Sequence, residues 1–215
     1  RATMKYTLTL LALTLVSTLA TASSILIKDA DIYASSGLLV KTNLYIKNGK
    51  ISAIGAQSPA TADLEIQGLG KSITAGLFNS STQLGTVEVS AIEQTVDFYS
   101  ENETVTASLR IADVFNPRST LIPHNRVHGL THSLLIPESG THLFAGQVAL
   151  VQLGNQPKVI HPSLAVALDF TERGISLMGG SRAAALVQLR QALDDAKALK
   201  RENDLAESSN NSDLA

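Results

Sequence analysis

An Asn-Gly pair at positions 48 and 49 constrains the fold of this chain more than any other local feature. Apolar and polar residues alternate on both sides of the pair, from Asn43 to Gly55. Both turn residues of a tight hairpin must tolerate a positive φ, and Asn-Gly flanked by such alternation is the strongest short-range hairpin signal. The sequence therefore predicts antiparallel β-structure in this region.

Further strands are predicted around the hairpin and later in the chain. In the first part, apolar and β-branched content predicts strands at 25–33, 39–47, 50–54 and 64–66, and residues 71–78 lead into the second part. In the second part, the same signal predicts strands at 131–136, 147–153 and 164–169. Later strands that alternate with helices would form parallel βαβ units, so the predicted fold class is α/β.

Two longer helices are predicted among these strands. Ser100 and Glu103 fit a capping box, which predicts a helix over 105–115 that stops before Pro117. A second helix is predicted from about Ser181, as N-cap, to about Arg201. One apolar stripe on this helix is typical of a helix that covers a sheet, and a coiled-coil partner is the alternative interpretation. The stripe consists of Leu186, Leu189, Leu193, Ala196 and Leu199.

The first 22 residues have the pattern of a secretory signal peptide. Lys5 precedes an apolar run from Leu8 to Leu19, and Ala20-Thr21-Ala22 supplies the small residues of a cleavage site. We therefore expect an exported protein, periplasmic or secreted, with no stable membrane anchor after cleavage. A retained anchor or a buried first strand is the competing interpretation.

Several segments occur in an order that points to one family. Ile73 to Gln83 reads Ile-Thr-Ala-Gly-Leu-Phe-Asn-Ser-Ser-Thr-Gln, and Asn116-Pro117-Arg118-Ser119, Arg126 to Thr131 and Phe144 to Gln147 follow it. In this order the segments resemble the N-terminal part of the amidohydrolase superfamily, in its imidazolonepropionase-like branch. The resemblance covers the chain from about Ile25 to about Lys200.

The resemblance implies a degenerate metal site. In that superfamily the first barrel strand ends in a motif of the type P-G-L-I-D-x-H-x-H, whose histidines bind the catalytic metal. Here Asn79 stands at the Asp position, and Ser81 and Gln83 stand at the histidine positions. Serine and glutamine are poor ligands for zinc-like metals. Any active residues should cluster around these three, with Arg126 as a substrate-binding neighbour; no catalytic residue is assigned.

The resemblance also implies a domain order. Residues 23–75 would be part of an N-terminal β-sandwich, residues 76–206 the first strands and helices of a TIM-like (β/α)8 barrel, and 207–215 a disordered tail. A complete barrel takes roughly 250 residues, about twice the length that remains here. The barrel is therefore expected to be incomplete, and the chain to be a fragment of a longer protein or the product of an interrupted gene, inactive on its own.

Other constellations offer alternative sites. His124, His128 and His132 are spaced by four and would align on a helix as zinc ligands, but Pro123 and Gly129 interrupt that helix. We interpret them as loop and strand-end residues. The chain has no cysteine and hence no thiolate metal site. No cofactor is predicted for this chain, whereas a divalent metal such as zinc would belong to a full-length relative.

Two local features resemble parts of binding or catalytic sites. Gly179-Gly180 before a helix start could hold an anion, although a turn followed by an N-cap explains the same residues. Serines 80, 81 and 119 lack a base and an orienting acid at a recognisable spacing. Neither feature defines a site on its own.

Two function classes follow from these observations. The first is the reaction of the resembled family, hydrolysis of non-peptide C–N bonds in small or cyclic amides by a metal-activated water. The second is a non-catalytic binding or structural protein derived from the same fold. A formal net charge of −2 gives no reason to expect nucleic acid as a partner. A small-molecule substrate is expected if the chain is active. Whether the chain forms a homo-oligomer is left open by the sequence.

Overall fold

A computed structural model describes residues 24–89, 92–102, 107–140 and 142–212. The predicted signal peptide at 1–22 lies outside the described residues, as does Glu103 of the predicted capping box. The chain divides between Ala75 and Gly76 into two compact units, each with its own sheet.

The first unit is a five-stranded sheet with order β3-β2-β1-β4, in which β5 also pairs with β1. Its strands are β1 (Ser24–Ala34), β2 (Gly37–Lys47), β3 (Lys50–Ile54), β4 (Leu64–Gln67) and β5 (Ser72–Ile73). The first three are antiparallel, whereas β4 and β5 run parallel to β1. The predicted hairpin is confirmed: β2 and β3 pair around Asn48 and Gly49, whose φ angles are 52° and 73°.

Apolar packing and one ion pair hold this sheet together. Ala30, Ile32 and Leu44 form its buried cluster. Lys28 Nζ lies 2.7 Å from Glu65 Oε2 and ties β1 to β4, and this hydrogen bond lowers the pKa of the Glu65 carboxyl. The described residues of the unit form one sheet, whereas the predicted sandwich would need two packed sheets.

The second unit contains a four-stranded sheet with order β6-β7-β8-β9. Its strands are β6 (Leu77–Thr82), β7 (Leu130–Leu135), β8 (Phe144–Gln152) and β9 (Lys158–Leu168). Only β6 and β7 are parallel; β8 runs antiparallel to both β7 and β9. The described strands do not close into a barrel.

The expected run of parallel βαβ units is therefore wrong beyond β7. The connections at 136–143 and 153–157 are shorter than the dozen or more residues that a parallel crossover needs. Such short connections allow only antiparallel neighbours. The sheet is mixed, with one parallel pair followed by an antiparallel meander.

The helix predicted over 105–115 is also wrong for residues 107–115, while 105 and 106 lie outside the described residues. Residues 111–114 form only a short 3₁₀-helix, Ile111–Val114. The backbone just before it joins the second sheet instead, because Gln147 N–H donates to the carbonyl of Leu109 at 2.7 Å and Arg110 pairs with Gln147. A hydrogen bond to a sheet edge has replaced the local helical bonds.

Three α-helices complete the described part of this unit: α1 (Leu121–Arg126), α2 (Glu172–Leu177) and α3 (Arg182–Ser212). Ser181 caps α3, since its Oγ accepts from Ala184 N–H at 3.1 Å. Gly179 and Gly180 form the turn before it, with φ of 89° and 76°. This geometry matches the turn and N-cap interpretation.

Helix α3 is longer than predicted. It continues to Ser212, so the prediction of a disordered tail is wrong for residues 207–212, while 213–215 lie outside the described residues. A cooperative helix extends through neighbouring residues of modest propensity once its first turns have formed. None of the described helices is long and apolar enough to span a membrane.

The core of the second unit lies against one face of β7 and β8. Ile111, Ile122, Leu135 and Val151 are fully buried there, and Phe98 and Phe115 pack around them. This core fixes the strands, so the loops at the strand ends start from defined positions.

Candidate functional site

A cavity of about 390 Å³ lies at one edge of the second sheet. Because β8 is antiparallel to both of its neighbours, β6, β7 and β9 all end at this edge. The cavity is lined by residues that end or follow these three strands, among them Ser81, Gln83, Glu138, Asp169 and Arg173. Two of the four predicted site residues, Ser81 and Gln83, therefore open into one cavity at the carboxyl ends of strands.

Asn79 has a structural role beside this cavity. The pairing of β6 with β7 shifts register between Asn79 and Thr82. Asn79 Oδ1 accepts from the Ser81 backbone N–H at 3.0 Å, and Thr82 Oγ1 accepts from Leu84 N–H at 3.1 Å. These side chains satisfy backbone donors at an irregular strand end, as Asn and Thr commonly do. The Asn79 oxygen is thus committed to the backbone.

Gln83 connects the end of β6 to the loop after β7. Its Nε2 donates to Glu138 Oε1 at 3.2 Å. Glu138 is held in turn through its backbone N–H, which donates to the carbonyl of Phe98 at 2.9 Å. The glutamine at a predicted metal position therefore makes a side-chain amide to carboxylate contact on the cavity wall.

Asp169 and Arg173 form the opposite part of the wall. Asp169 Oδ1 accepts from Thr171 N–H at 2.9 Å, and Thr171 Oγ1 accepts from Gly174 N–H at 3.4 Å as the N-cap of α2. Arg173 lies in the first turn of α2 and is exposed. Within the described parts of the chain its guanidinium makes no hydrogen bond or ion pair. The cavity thus presents two carboxylates and one guanidinium.

The sequence interpretation missed Glu138, Asp169 and Arg173. A usable signal was present, because Glu138 follows the strand predicted at 131–136 and Asp169 ends the strand predicted at 164–169. Polar residues at the carboxyl ends of adjacent strands commonly line a binding crevice in α/β folds. The antiparallel β8, which brings β9 to this edge, was the missing information.

Arg126 does not lie with the other predicted site residues. It is in α1, which leads into the amino end of β7, and its Nη1 donates to the carbonyl of Gly154 at 2.8 Å. Gly154 follows β8, so this contact closes the end of the sheet opposite the cavity. The prediction that Arg126 lies beside Asn79, Ser81 and Gln83 is therefore wrong.

The three histidines do not form a metal site. His124 lies in α1, and its ring contacts that of His128 edge-on with centroids 5.3 Å apart. His132 lies on β7, where its Nδ1 is 3.0 Å from Thr131 Oγ1. The trio is therefore divided between a short helix, a turn and a strand, because Gly129 and the start of β7 end the helical run.

The residues at the cavity also do not fit a catalytic zinc ion. A zinc site needs about three or four His, Cys or carboxylate ligands. The described residues contain no group of three or more His, Cys, Asp or Glu side chains placed to hold a metal. At the two motif positions stand a hydroxyl and an amide that already donates to Glu138.

Comparison with solved structures shows a relationship of fold. A solved amidohydrolase from Thermotoga maritima MSB8 is similar, with a TM-score of 0.72 and 19% sequence identity. The match covers 86% of this chain and 50% of the other, so this chain spans about half the length of that amidohydrolase. No protein-family model matches the chain, and no curated protein sequence does either. The chain therefore has an amidohydrolase-like fold.

Proposed function

We propose that this chain is the N-terminal half of an amidohydrolase-like protein and that it forms one wall of a binding site for a small amide-type molecule. The observation that carries the proposal is the position of Ser81 and Gln83. Both open into the cavity at the carboxyl edge of β6, β7 and β9 in a chain with an amidohydrolase-like fold. In α/β folds, ligands bind beyond the carboxyl ends of strands.

The groups on the cavity wall suit an amide. An amide offers a carbonyl that accepts and N–H groups that donate. Ser81 and Arg173 can donate to the carbonyl, while the Glu138 and Asp169 carboxylates can accept from the N–H groups. The volume of about 390 Å³ lies near the lower end of ordinary ligand cavities, which span about 300–1,000 Å³. The ligand is therefore a small molecule.

Hydrolysis of the C–N bond is assigned to the longer protein. The described residues bind and orient, and they offer no ligand set for a metal that would activate water. The similar amidohydrolase is about twice as long as the matched region, which leaves room for catalytic groups in the other half of such a fold. An exported protein, through the pattern at residues 1–22, is part of the same proposal.

A second candidate is a binding protein without catalysis. The observation that favours it is the contact of Gln83 with Glu138 at 3.2 Å, which uses a motif position for a side-chain hydrogen bond. A protein that retained the fold and lost the metal would keep the cavity and its polar wall. This candidate differs from the first in turnover alone.

The test uses the longest natural reading frame that contains this chain. Ammonia or amine release and calorimetric binding are measured with a panel of cyclic amides and N-acyl amino acids. Glu138→Gln should weaken binding about tenfold, the equivalent of about 1.4 kcal/mol. Glu93→Gln, the same change at an exposed residue that does not line the cavity, should leave binding unchanged.

Three outcomes separate the candidates. Turnover that Glu138→Gln reduces supports the hydrolase proposal. Binding without turnover, again sensitive to Glu138→Gln, supports the binding protein. Absence of binding to every panel member, or equal effects of the two variants, would overturn the assignment of this cavity.

A further inference from the structure

Two histidine rings in contact, those of His124 and His128, have no part in the proposed binding site. His124 lies in α1 and His128 in the turn after it, and both residues are exposed. Their rings meet edge-on, with centroids 5.3 Å apart and planes at 73°. Both residues precede the amino end of β7, whereas the cavity lies at the carboxyl ends of β6, β7 and β9. The pair is therefore a separate feature of the second unit.

The backbone under the two rings is well anchored. Ile122 is fully buried in the core and fixes α1 against the sheet. Val127 N–H donates to the Pro123 carbonyl at 3.2 Å, and His128 N–H donates to the Asn125 carbonyl at 3.1 Å. The helical path therefore continues past the end of α1. Side chains four residues apart on such a path lie on the same face, which brings the two rings together.

The separation of the rings fits a shared tetrahedral metal ion. Zinc is bound tetrahedrally at a Zn–N distance of about 2.0–2.1 Å, which places the centroids of two coordinating imidazoles about 5.2 Å apart. The observed separation is 5.3 Å. Adjacent positions of a square-planar ion such as Cu²⁺ would bring the same centroids to about 4.5 Å. The spacing of the pair therefore favours a tetrahedral ion such as zinc.

The charged side chain nearest to the pair in sequence is directed elsewhere. Arg126 is two residues from each histidine, which is about 200° around a helix from both of them. Its guanidinium donates to the carbonyl of Gly154 at 2.8 Å. The positive charge of Arg126 is thus held on the opposite side of the helical turn, away from the place where a cation would bind between the rings.

We propose that His124 and His128 together bind a divalent transition-metal ion, with zinc as the ion that fits their spacing. Imidazole is a suitable ligand for zinc. His132, the third histidine of the four-residue spacing, lies on β7 and takes no part. The described residues place no group of three or more His, Cys, Asp or Glu side chains around a metal, so water completes the coordination. The inference is independent of what the cavity binds.

The first experiment measures zinc binding to the full chain by isothermal titration calorimetry. His124→Gln and His128→Gln each remove one ligand at an exposed position, and circular dichroism confirms that the variants fold. Each variant should weaken zinc binding at least about tenfold, because both nitrogens are needed to hold the ion. His161→Gln is the matched control, since His161 is an exposed histidine on β9 and should leave the affinity unchanged.

A second measurement locates the ion without a substitution. Zinc is titrated into ¹⁵N-labelled protein, and the signals of the imidazole ring nitrogens are followed by NMR. The rings of His124 and His128 should shift together, with that of His161 unchanged.

Several results would overturn the proposal. One is the absence of zinc binding, and another is an equal loss of affinity in all three glutamine variants. A loss with only one of His124→Gln and His128→Gln would mean a single ligand rather than a shared site. Zinc-dependent shifts confined to other histidines would contradict the location.

Discussion

The two ends of the second sheet use polar side chains in opposite ways. At the amino end of β7, the Arg126 guanidinium donates to the Gly154 carbonyl, and Leu77 N–H donates to the Gly129 carbonyl. At the carboxyl end, Gln83, Glu138 and Arg173 surround a cavity instead. The polar groups named at the first end bind backbone carbonyls, whereas Gln83, Glu138 and Arg173 at the second end line the cavity, although Asn79 and Asp169 there also accept from backbone N–H groups. The difference indicates which end can bind a ligand.

The end of the sheet at the amino end of β7, where Arg126 binds the Gly154 carbonyl, is called the closed end. Replacing Arg126 at this closed end should have the largest effect on stability. Arg126→Ala removes a charge-assisted bond to a backbone carbonyl at 2.8 Å on a half-buried side chain. We expect a loss of about 1–2 kcal/mol in the free energy of unfolding, measured by urea denaturation. Arg118→Ala, at an exposed arginine, should cost much less. Equal costs would contradict a structural role for Arg126 at the closed end.

The middle of β7 offers a test with the opposite sign. Ser133 is fully buried, and its Oγ has no hydrogen-bond partner among the described residues. A buried hydroxyl without a partner destabilises the fold, so Ser133→Ala should raise the free energy of unfolding by about 1 kcal/mol.

Ser119 is the matched control for this change. It is also buried, but its Oγ donates to Glu88 Oε2 at 3.1 Å. Ser119→Ala should therefore destabilise by about 1 kcal/mol. If both alanine variants shift the denaturation midpoint in the same direction, the contrast between a satisfied and an unsatisfied hydroxyl fails.

The smallest effect on stability is expected at the open end. Gln83→Ala removes a neutral amide that contacts Glu138 at the cavity wall, and the free energy of unfolding should change by less than about 0.5 kcal/mol. Thermal and urea denaturation of the variant check this value. A loss comparable to that of Arg126→Ala would mean that the cavity wall is a structural network rather than a binding surface.

Local sequence signals predicted the parts of the fold that local physics controls. The Asn48-Gly49 hairpin and the N-cap at Ser181 follow from backbone preferences of a few residues. The helix predicted at 105–115 failed because Gln147, more than thirty residues away, binds the Leu109 carbonyl. Propensity contains no information about such a distant partner.

The candidate site was predictable to a similar extent. The family resemblance singled out Ser81 and Gln83, and both line the cavity. Asn79 and Arg126 were selected by the same resemblance, yet their side chains hold backbone groups. Asp169 required the strand order, because it approaches the site only when β9 returns antiparallel to β8, whereas Glu138 follows β7, which pairs with β6. Hydrogen-bond commitment of a side chain is not readable from its position in a motif.

The most direct test of the contrast between the two ends of the second sheet is chemical-shift mapping of the folded chain with amide ligands. Cyclic amides and N-acyl amino acids are titrated into ¹⁵N-labelled protein. The account predicts shifts of the Ser81, Gln83, Glu138 and Asp169 backbone amides, with the amides of Arg126 and Gly154 unchanged as internal controls. Shifts confined to Arg126 and Gly154, or no shifts with any ligand, would contradict it.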